Sequence, residues 1–139
     1  MRDNSQDLKS QLAQLNERND GPLFKMKNDP RITRVGKWIR KTWIDELPQL
    51  VNVLKGEMSL VGPRPHEPEE VARYQNHHRR VFFVKSGMTG LAQISGSSKL
   101  KFEEEIKFDL YYVKNWSIFQ DLKILAKTAV LFFKPKPDC

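Results

Sequence analysis

The sequence predicts an α+β domain, mostly α-helical with short strands, and three observations predict it. Apolar residues recur at helical spacing in segments such as "ITRVGKWIRK", "PQLVNVLKG" and "FEEEIKFDLYYVKN". Two stretches rich in glycine, proline and small residues, "MSLVGPRPHEP" and "KSGMTGLAQISGSSK", read as extended or loop-like connections. The chain of 139 residues has the size of one domain with one core, so residues 1–139 are read as a single domain. It shows no internal repeat and no linker-like tract.

The elements follow in order. In "NSQDLKSQLAQLNERNDG", Leu8, Leu12 and Leu15 share a helical face and Asn4 is placed as a cap, with Gly21-Pro22 as the stop. "PLFKMKNDP" reads as extended up to Asp29-Pro30, because the residue before proline is pushed out of the helical region. From Ile32 to Lys41, Ile32, Val35, Trp38 and Ile39 fall on one face and Arg34, Lys37, Arg40 and Lys41 largely on the other. Pro48 suits a first helical position, and Gly56 ends that helix as a left-handed stop. "EPEEVARYQNHHRRVFFV" reads as a helix running into a short strand around Val81 to Val84. The Gly87, Gly90 and Gly96 stretch reads as a loop that allows close backbone approach. "FEEEIKFDLYYVKN" carries its acids in the first turn, where the helix dipole favours them. Ser117 and Gln120 form a capping pattern for a last helix whose apolar face grows toward "AVLFFKPK".

Twenty-four Lys+Arg against seventeen Asp+Glu give a net charge of +7, which favours an anionic partner: nucleic acid, nucleotide, phospholipid or sugar phosphate. Between Lys25 and Lys41 seven basic residues accompany one acid, Asp29. The single cysteine, Cys139, leaves no disulfide framework within one chain. No segment has the roughly 18 to 20 apolar residues of a membrane span, and "MRDNSQDLKS" lacks a signal-peptide core. No helix-turn-helix, zinc-finger or RNA-recognition pattern accompanies the basic helix, so nucleic acid is not the expected partner.

Asp45-Glu46 is the candidate for chemistry. Acids before a helix often serve only its dipole. Here, though, Arg40 and Lys41 precede the pair and Arg64 follows between two prolines, held to present its fork to a phosphate at little entropic cost. Magnesium is commonly held by one or two carboxylates together with substrate phosphate oxygens, and an aspartate can attack phosphorus without a separate base. Neighbouring carboxylates can divide those tasks. His66, His77 and His78 are read as structural, since adjacent His77 and His78 would point about 100° apart on a helix. Trp38, Trp43 and Trp116 are read as core or interface residues. "LFFKPKPDC" reads as core packing, with a membrane-edge anchor as the competitor.

In series, "NDPRITRVGKWIRKTWIDELPQLVNVLKGEMSLVGPRP", "SGMTGLAQISG" and "DLYYVKNWSIFQDLKIL" resemble the bacterial sugar transferases, the monotopic polyprenyl-phosphate phosphoglycosyl transferases, from about Asp20 to Phe133. The resemblance implies a membrane-associated, magnesium-dependent enzyme on the cytoplasmic face of the inner membrane. Such an enzyme moves a sugar 1-phosphate from a UDP-sugar to undecaprenyl phosphate and releases UMP, the first membrane step of exopolysaccharide, O-antigen, capsule or glycoprotein glycan synthesis. It makes Asp45 the nucleophile and Glu46 the magnesium ligand, gives the phosphates to Arg40, Lys41 and Arg64, and gives the nucleotide sugar to the stretch from Thr89 to Gly96, with Thr89, Gly90 and Gln93. Partners are the UDP-sugar, the undecaprenyl phosphate and an anionic membrane surface.

Ser97 stands where the family usually has a donor-binding arginine, Ser86 replaces a frequent proline, and Trp43-Ile44 replaces a usual Ser-Leu before the dyad. Family domains also begin with a re-entrant membrane helix and a basic strand, whose end corresponds to Met1. The chain therefore reads as an N-terminally truncated domain, with weak or absent turnover expected from these residues alone. The competing reading is a catalytically impaired, basic amphipathic module that only binds membranes.

Overall fold

The computed structural model describes residues 16, 18, 20–23, 26, 29–96 and 99–133. The helix expected around Leu8 and Leu12, the residue Ser97 and the segment after Phe133 lie outside the described residues, as does part of "PLFKMKNDP". The fold is α+β, as expected: helices around one two-stranded parallel sheet.

Helix α1, Arg34–Lys41, starts where Thr33 Oγ1 accepts from the Gly36 N–H at 3.1 Å, and it ends with Arg40 and Lys41 in its last turn, matching the dipole. The Thr42 hydroxyl donates to the carbonyls of Trp38 and Ile39 at its end. A 3-10 turn, Ile44–Glu46, leads into α2, Leu47–Leu54, with Pro48 in its first turn. Gly56, at φ 75°, closes the helix in the left-handed region glycine favours. Strand β1, Ser59–Val61, then runs beside α2 and pairs parallel with β2, Gly87–Thr89, with Ser59 opposite Gly87 and Val61 opposite Thr89.

The crossover between the strands departs from expectation. The predicted long helix is one turn, α3, Pro68–Val71, with Glu67 and Glu70 closing a capping box. Val81 to Val84 form no strand; His78–Phe83 is a 3-10 helix that buries His78 and Val81. The second strand lies instead at Gly87–Thr89, inside the expected loop, followed by α4, Leu91–Ser95. Helix α5 spans Phe102–Lys114 and α6 spans Ile118–Phe132. As predicted, Ser117 Oγ accepts from the Gln120 N–H at 3.2 Å and caps α6.

Two buried clusters hold the chain, and α5 joins them. Phe102 and Ile106 pack with Leu23, Tyr74 and Val81, while Tyr112 packs with Val61 and Ile124. The Tyr112 hydroxyl lies 2.8 Å from Asp121 Oδ1 and 3.2 Å from the Val61 carbonyl, so its proton ties α6 to β1. At the other end of α5, Arg18 bonds Asp20, Glu105 and the Leu100 carbonyl, and Asp20 accepts from the Phe102 N–H.

Candidate active site

The dyad occupies the turn between α1 and α2. The Trp43 carbonyl accepts from the Glu46 N–H at 3.0 Å, which forms the 3-10 turn and carries Asp45 outward. Asp45 is exposed and Glu46 half-buried, and no residue of α1, the turn or α2 is buried. Arg40 is half-buried and Lys41 exposed at the end of α1, directly before the turn. Asp29 is bonded by the Arg31 guanidinium at 2.6 to 3.0 Å, which holds its carboxyl below the usual range, and the charge of Arg40 adds to that pull. The single acid of the basic segment is thereby committed to Arg31.

The second half of the site is the proline corner. Helix α2 rises about 12 Å, the chain reverses through Gly56, and β1 returns beside it. Strand β1 contacts α2 and leads directly into the Gly62–Pro65 corner. Main chain fixes this corner to the glycine stretch: Gly62 N–H donates to the Thr89 carbonyl at 2.9 Å and Gly87 N–H to the Pro63 carbonyl at 2.8 Å. A Cβ on Gly87 would lie 2.0 Å from the Gly62 nitrogen, and one on Gly90 2.3 Å from the Gly62 oxygen, so these backbones cross where only glycine fits.

Arg64 projects exposed from the corner. Its charge reaches two neighbours. His66 is lowered to about 4 by burial, with Arg64 and Arg18 adding, so it is neutral at physiological pH. Glu105 is raised by burial, against the pull of Arg18 and Arg64. Behind them Asp109, 3% exposed, is pushed up to about 7 by burial and by the charge of Glu105.

Among the predicted substrate residues, Thr89 is buried and its hydroxyl lies 2.7 Å from that of Thr128 on α6. Thr128 in turn donates to the Ile124 carbonyl, so Thr89 is the donor in the pair. Its side chain is engaged in joining the sheet to α6. Gln93 is different: Nε2 reaches the Met88 carbonyl at 3.5 Å, while Oε1 is buried with no hydrogen-bond partner among the described residues.

The histidine expectation needs correction. His77 and His78 lie at a turn entering a 3-10 helix; their rings are 3.9 Å apart and both face Glu103. Gln75 N–H donates to His78 Nδ1 at 3.1 Å, so in the neutral ring Nε2 carries the proton and donates to Glu103 Oε1 at 2.9 Å. His78 thereby ties the crossover to α5, and His77 Nε2 lies 3.9 Å from the same carboxylate. Of the core-or-interface reading of the tryptophans, the core half does not hold: Trp38 is 61% and Trp116 59% exposed, and Trp43 is half-buried.

Much apolar surface is left uncovered. Leu54 is 87%, Phe83 80% and Phe133 91% exposed, and Val35, Ile118 and Phe119 are also exposed. Ile94 of α4 and Ala126, Lys127, Val130 and Leu131 of α6 line a shallow apolar groove of about 360 Å³. No described helix is long and apolar enough to cross a membrane.

Two details of the site escaped the sequence reading: what Gly87 and Gly90 approach, and the backbone of Trp43. The close approach expected at Gly87 and Gly90 is present, but its partner, Gly62, carried no signal beyond the Gly-Pro step, and the left-handed backbone of Trp43 was signalled only by a helix end with no glycine.

Residues 1–135 match the family model described as "Bacterial sugar transferase". A UDP-galactose-lipid carrier transferase of Erwinia amylovora is 55% identical over 111 residues, covering 80% of this chain and 23% of that protein. An undecaprenyl-phosphate galactose phosphotransferase of Salmonella typhimurium is 56% identical over 106 residues, covering 76% of this chain and 22% of that protein. An exopolysaccharide production protein of Rhizobium meliloti is 49% identical over 106 residues, with 75% and 46% covered. The chain thus spans less than a quarter of the first two relatives and under half of the third. With the family model matched across nearly its whole length, the chain belongs to the bacterial sugar transferase family.

Proposed function

We propose that this chain transfers a sugar 1-phosphate from a UDP-sugar to undecaprenyl phosphate, through a phosphosugar bonded to Asp45. The observation that supports the reading is the exposed Asp45-Glu46 turn with the basic end of α1, Arg40 and Lys41, directly before it. Two of the relatives are named for transfer to a lipid carrier or to undecaprenyl phosphate.

In the first step a carboxylate oxygen of Asp45 attacks the sugar-bearing phosphorus, the bond to the bridging oxygen breaks, and the electron pair leaves on UMP. In the second, a phosphate oxygen of undecaprenyl phosphate attacks the same phosphorus and the Asp45 carboxylate is regenerated. No proton need move. Arg40, Lys41 and Arg64 hold phosphate oxygens, and the stretch from Thr89 to Gln93 lies toward the nucleotide sugar. Adjacent carboxylates at the surface fit magnesium, which keeps most of its waters and takes one or two protein oxygens; Glu46 would hold it, with Asp45 beside it. What the ion supplies is neutralisation of diphosphate charge.

The membrane part of the reading is supported by exposed Val35 and Trp38 on the basic helix α1 and by exposed Leu54 at the end of α2, which suits a surface lying among anionic headgroups at the cytoplasmic face of the inner membrane. The same exposure favours the second reading, a membrane-binding module without catalysis, and one experiment separates them. The full chain is incubated with magnesium and individual UDP-sugars without acceptor, then followed by UMP release and by mass analysis of the peptide holding residues 43–47. A phosphosugar adduct on Asp45, absent in Asp45→Asn, is expected. UMP release that is unchanged in Asp45→Asn refutes the mechanism.

A further inference from the structure

Among the described residues, Trp43 is the only non-glycine with positive φ, at φ 62° and ψ 5°. It follows Thr42 at the end of α1, and its N–H donates to the Arg40 carbonyl at 3.3 Å, a helix-ending position that glycine takes without steric cost. A bulky side chain held in this backbone region needs a compensating contact. The contact is on α6: the Trp43 ring packs on Phe132 with centroids 5.2 Å apart and planes tilted 32°. Neither ring belongs to the two buried clusters. The same residue also starts the turn of the dyad, because its carbonyl accepts from the Glu46 N–H.

We propose that the Trp43–Phe132 contact is a positioning lock, which clamps the turn bearing Asp45 and Glu46 to the end of α6 and so fixes the direction in which the carboxylates face. Its role in catalysis rests on the reading of Asp45 as nucleophile; the lock itself rests on the backbone and the rings alone. Trp43 touches no reacting atom in this scheme. If the turn required only a left-handed residue, glycine would serve, and the chain would need no aromatic there. A tryptophan at this place costs backbone freedom and gains a tether to a helix far along the chain, which begins only at Ile118. The tether links the dyad to the same helix that Thr128 joins to Thr89, so α6 contacts both halves of the site.

The test uses Trp43→Gly, Trp43→Phe, Phe132→Ala and the Trp43→Gly/Phe132→Ala double variant in the full chain. Amide exchange is read first. Exchange at Glu46 is expected to accelerate about tenfold in Trp43→Gly and Phe132→Ala, with the Gly62 and Tyr112 amides unchanged and Trp43→Phe close to the native chain. Unchanged exchange at Glu46, or acceleration spread over the whole fold, overturns the lock. Single-turnover UMP release is read second. The rate constant is expected to fall by about ten- to a hundredfold with half-saturating donor concentration little changed. The double variant should be no worse than either single one, and Trp43→Phe should restore most of the rate. Additive losses, or a loss confined to donor affinity, overturn the proposal. If Asp45→Asn leaves UMP release intact, the nucleophile reading fails, and the exchange data still decide whether the lock exists.

Discussion

Adding one methyl group at Gly87 should disconnect the Arg64 corner from the rest of the site. In Gly87→Ala the new carbon would sit 2.0 Å from the Gly62 nitrogen, 2.5 Å from its Cα and 2.6 Å from its oxygen. All three are backbone atoms, so no side-chain rotation relieves the clash. Carbon contacts settle near about 3.5 Å, which requires the two segments to part by more than an ångström. That separation breaks the Gly87 N–H bond to Pro63 and strains the Gly62 N–H bond to Thr89. Two buried main-chain bonds lost or left half-made amount to about 2 to 5 kcal/mol, a large part of a domain's usual 5 to 15 or so. Because Pro63 is displaced, Arg64 moves with it. Gly56→Ala is the control: its φ of 75° makes any side chain unfavourable by about 1 to 2 kcal/mol, yet the nearest atom to its Cβ is Lys85 Nζ at 3.9 Å. Urea unfolding followed by tryptophan fluorescence gives the stabilities, and UMP release gives the donor step. If Gly87→Ala is no less stable than Gly56→Ala and handles donor normally, the crossing does not organise the corner.

Other perturbations test other parts of the structure. Asp109 is raised to about 7 in the fold, above its ordinary value, so between about pH 4 and 7 the native state binds more protons than the unfolded chain and stability falls as pH rises. The contribution is complete below the unfolded value and lost above about 7; three units or so correspond to about 4 kcal/mol at most. Asp109→Asn should flatten that slope and exceed the native chain in stability at pH 8; an unchanged pH profile of the urea midpoint would contradict the burial argument. At the surface, Trp38→Ser and Leu54→Ser should each weaken binding to anionic phospholipid vesicles about tenfold or more, since burying such a side chain contributes about 1.5 to 3 kcal/mol. Vesicle flotation at low and high salt separates this apolar share from the basic one, and binding indifferent to both substitutions would remove these helices from the membrane face.

What the sequence revealed was what local chemistry decides. The Ser117 cap, the Gly56 stop and the apolar rows of α5 depend on residues a few places apart, and they stand where periodicity and capping put them. What it hid depends on distant pairing. "VFFV" has strand composition, yet Val81 is drawn under Tyr74 and Phe102 while Phe83 stays exposed, and no strand forms there. The partner of β1 is instead Gly-Met-Thr, with weak strand preference, chosen because Gly62 and Gly87 let two backbones meet. The histidines mislead for the same reason: the 100° rule holds on a regular helix, and Tyr74 to His77 do not form one. Asp45, Glu46, Arg40 and Arg64 are singled out together by charge and proline spacing alone, whereas the left-handed turn of Trp43 has no local signal.

Stability and chemistry are carried by different parts of the chain. Both buried clusters are built on α5, with Phe102, Ile106 and Tyr112 contributing from one helix. The segment that bears the dyad, from Arg34 to Leu54, buries none of its residues. Among the described residues its contacts with the rest of the chain include α2 beside the sheet and Trp43 on Phe132 of α6. A segment held by few buried contacts opens at lower free energy than the core, and any ligand that binds only the closed arrangement stabilises it by mass action. A diphosphate engaging Arg40 on one side and Arg64 on the other would bridge the loosely held segment and the glycine-fixed corner. On this reading the donor completes the site by joining its two halves, which is why the carboxylates can sit on a surface turn and still meet phosphorus in a defined direction.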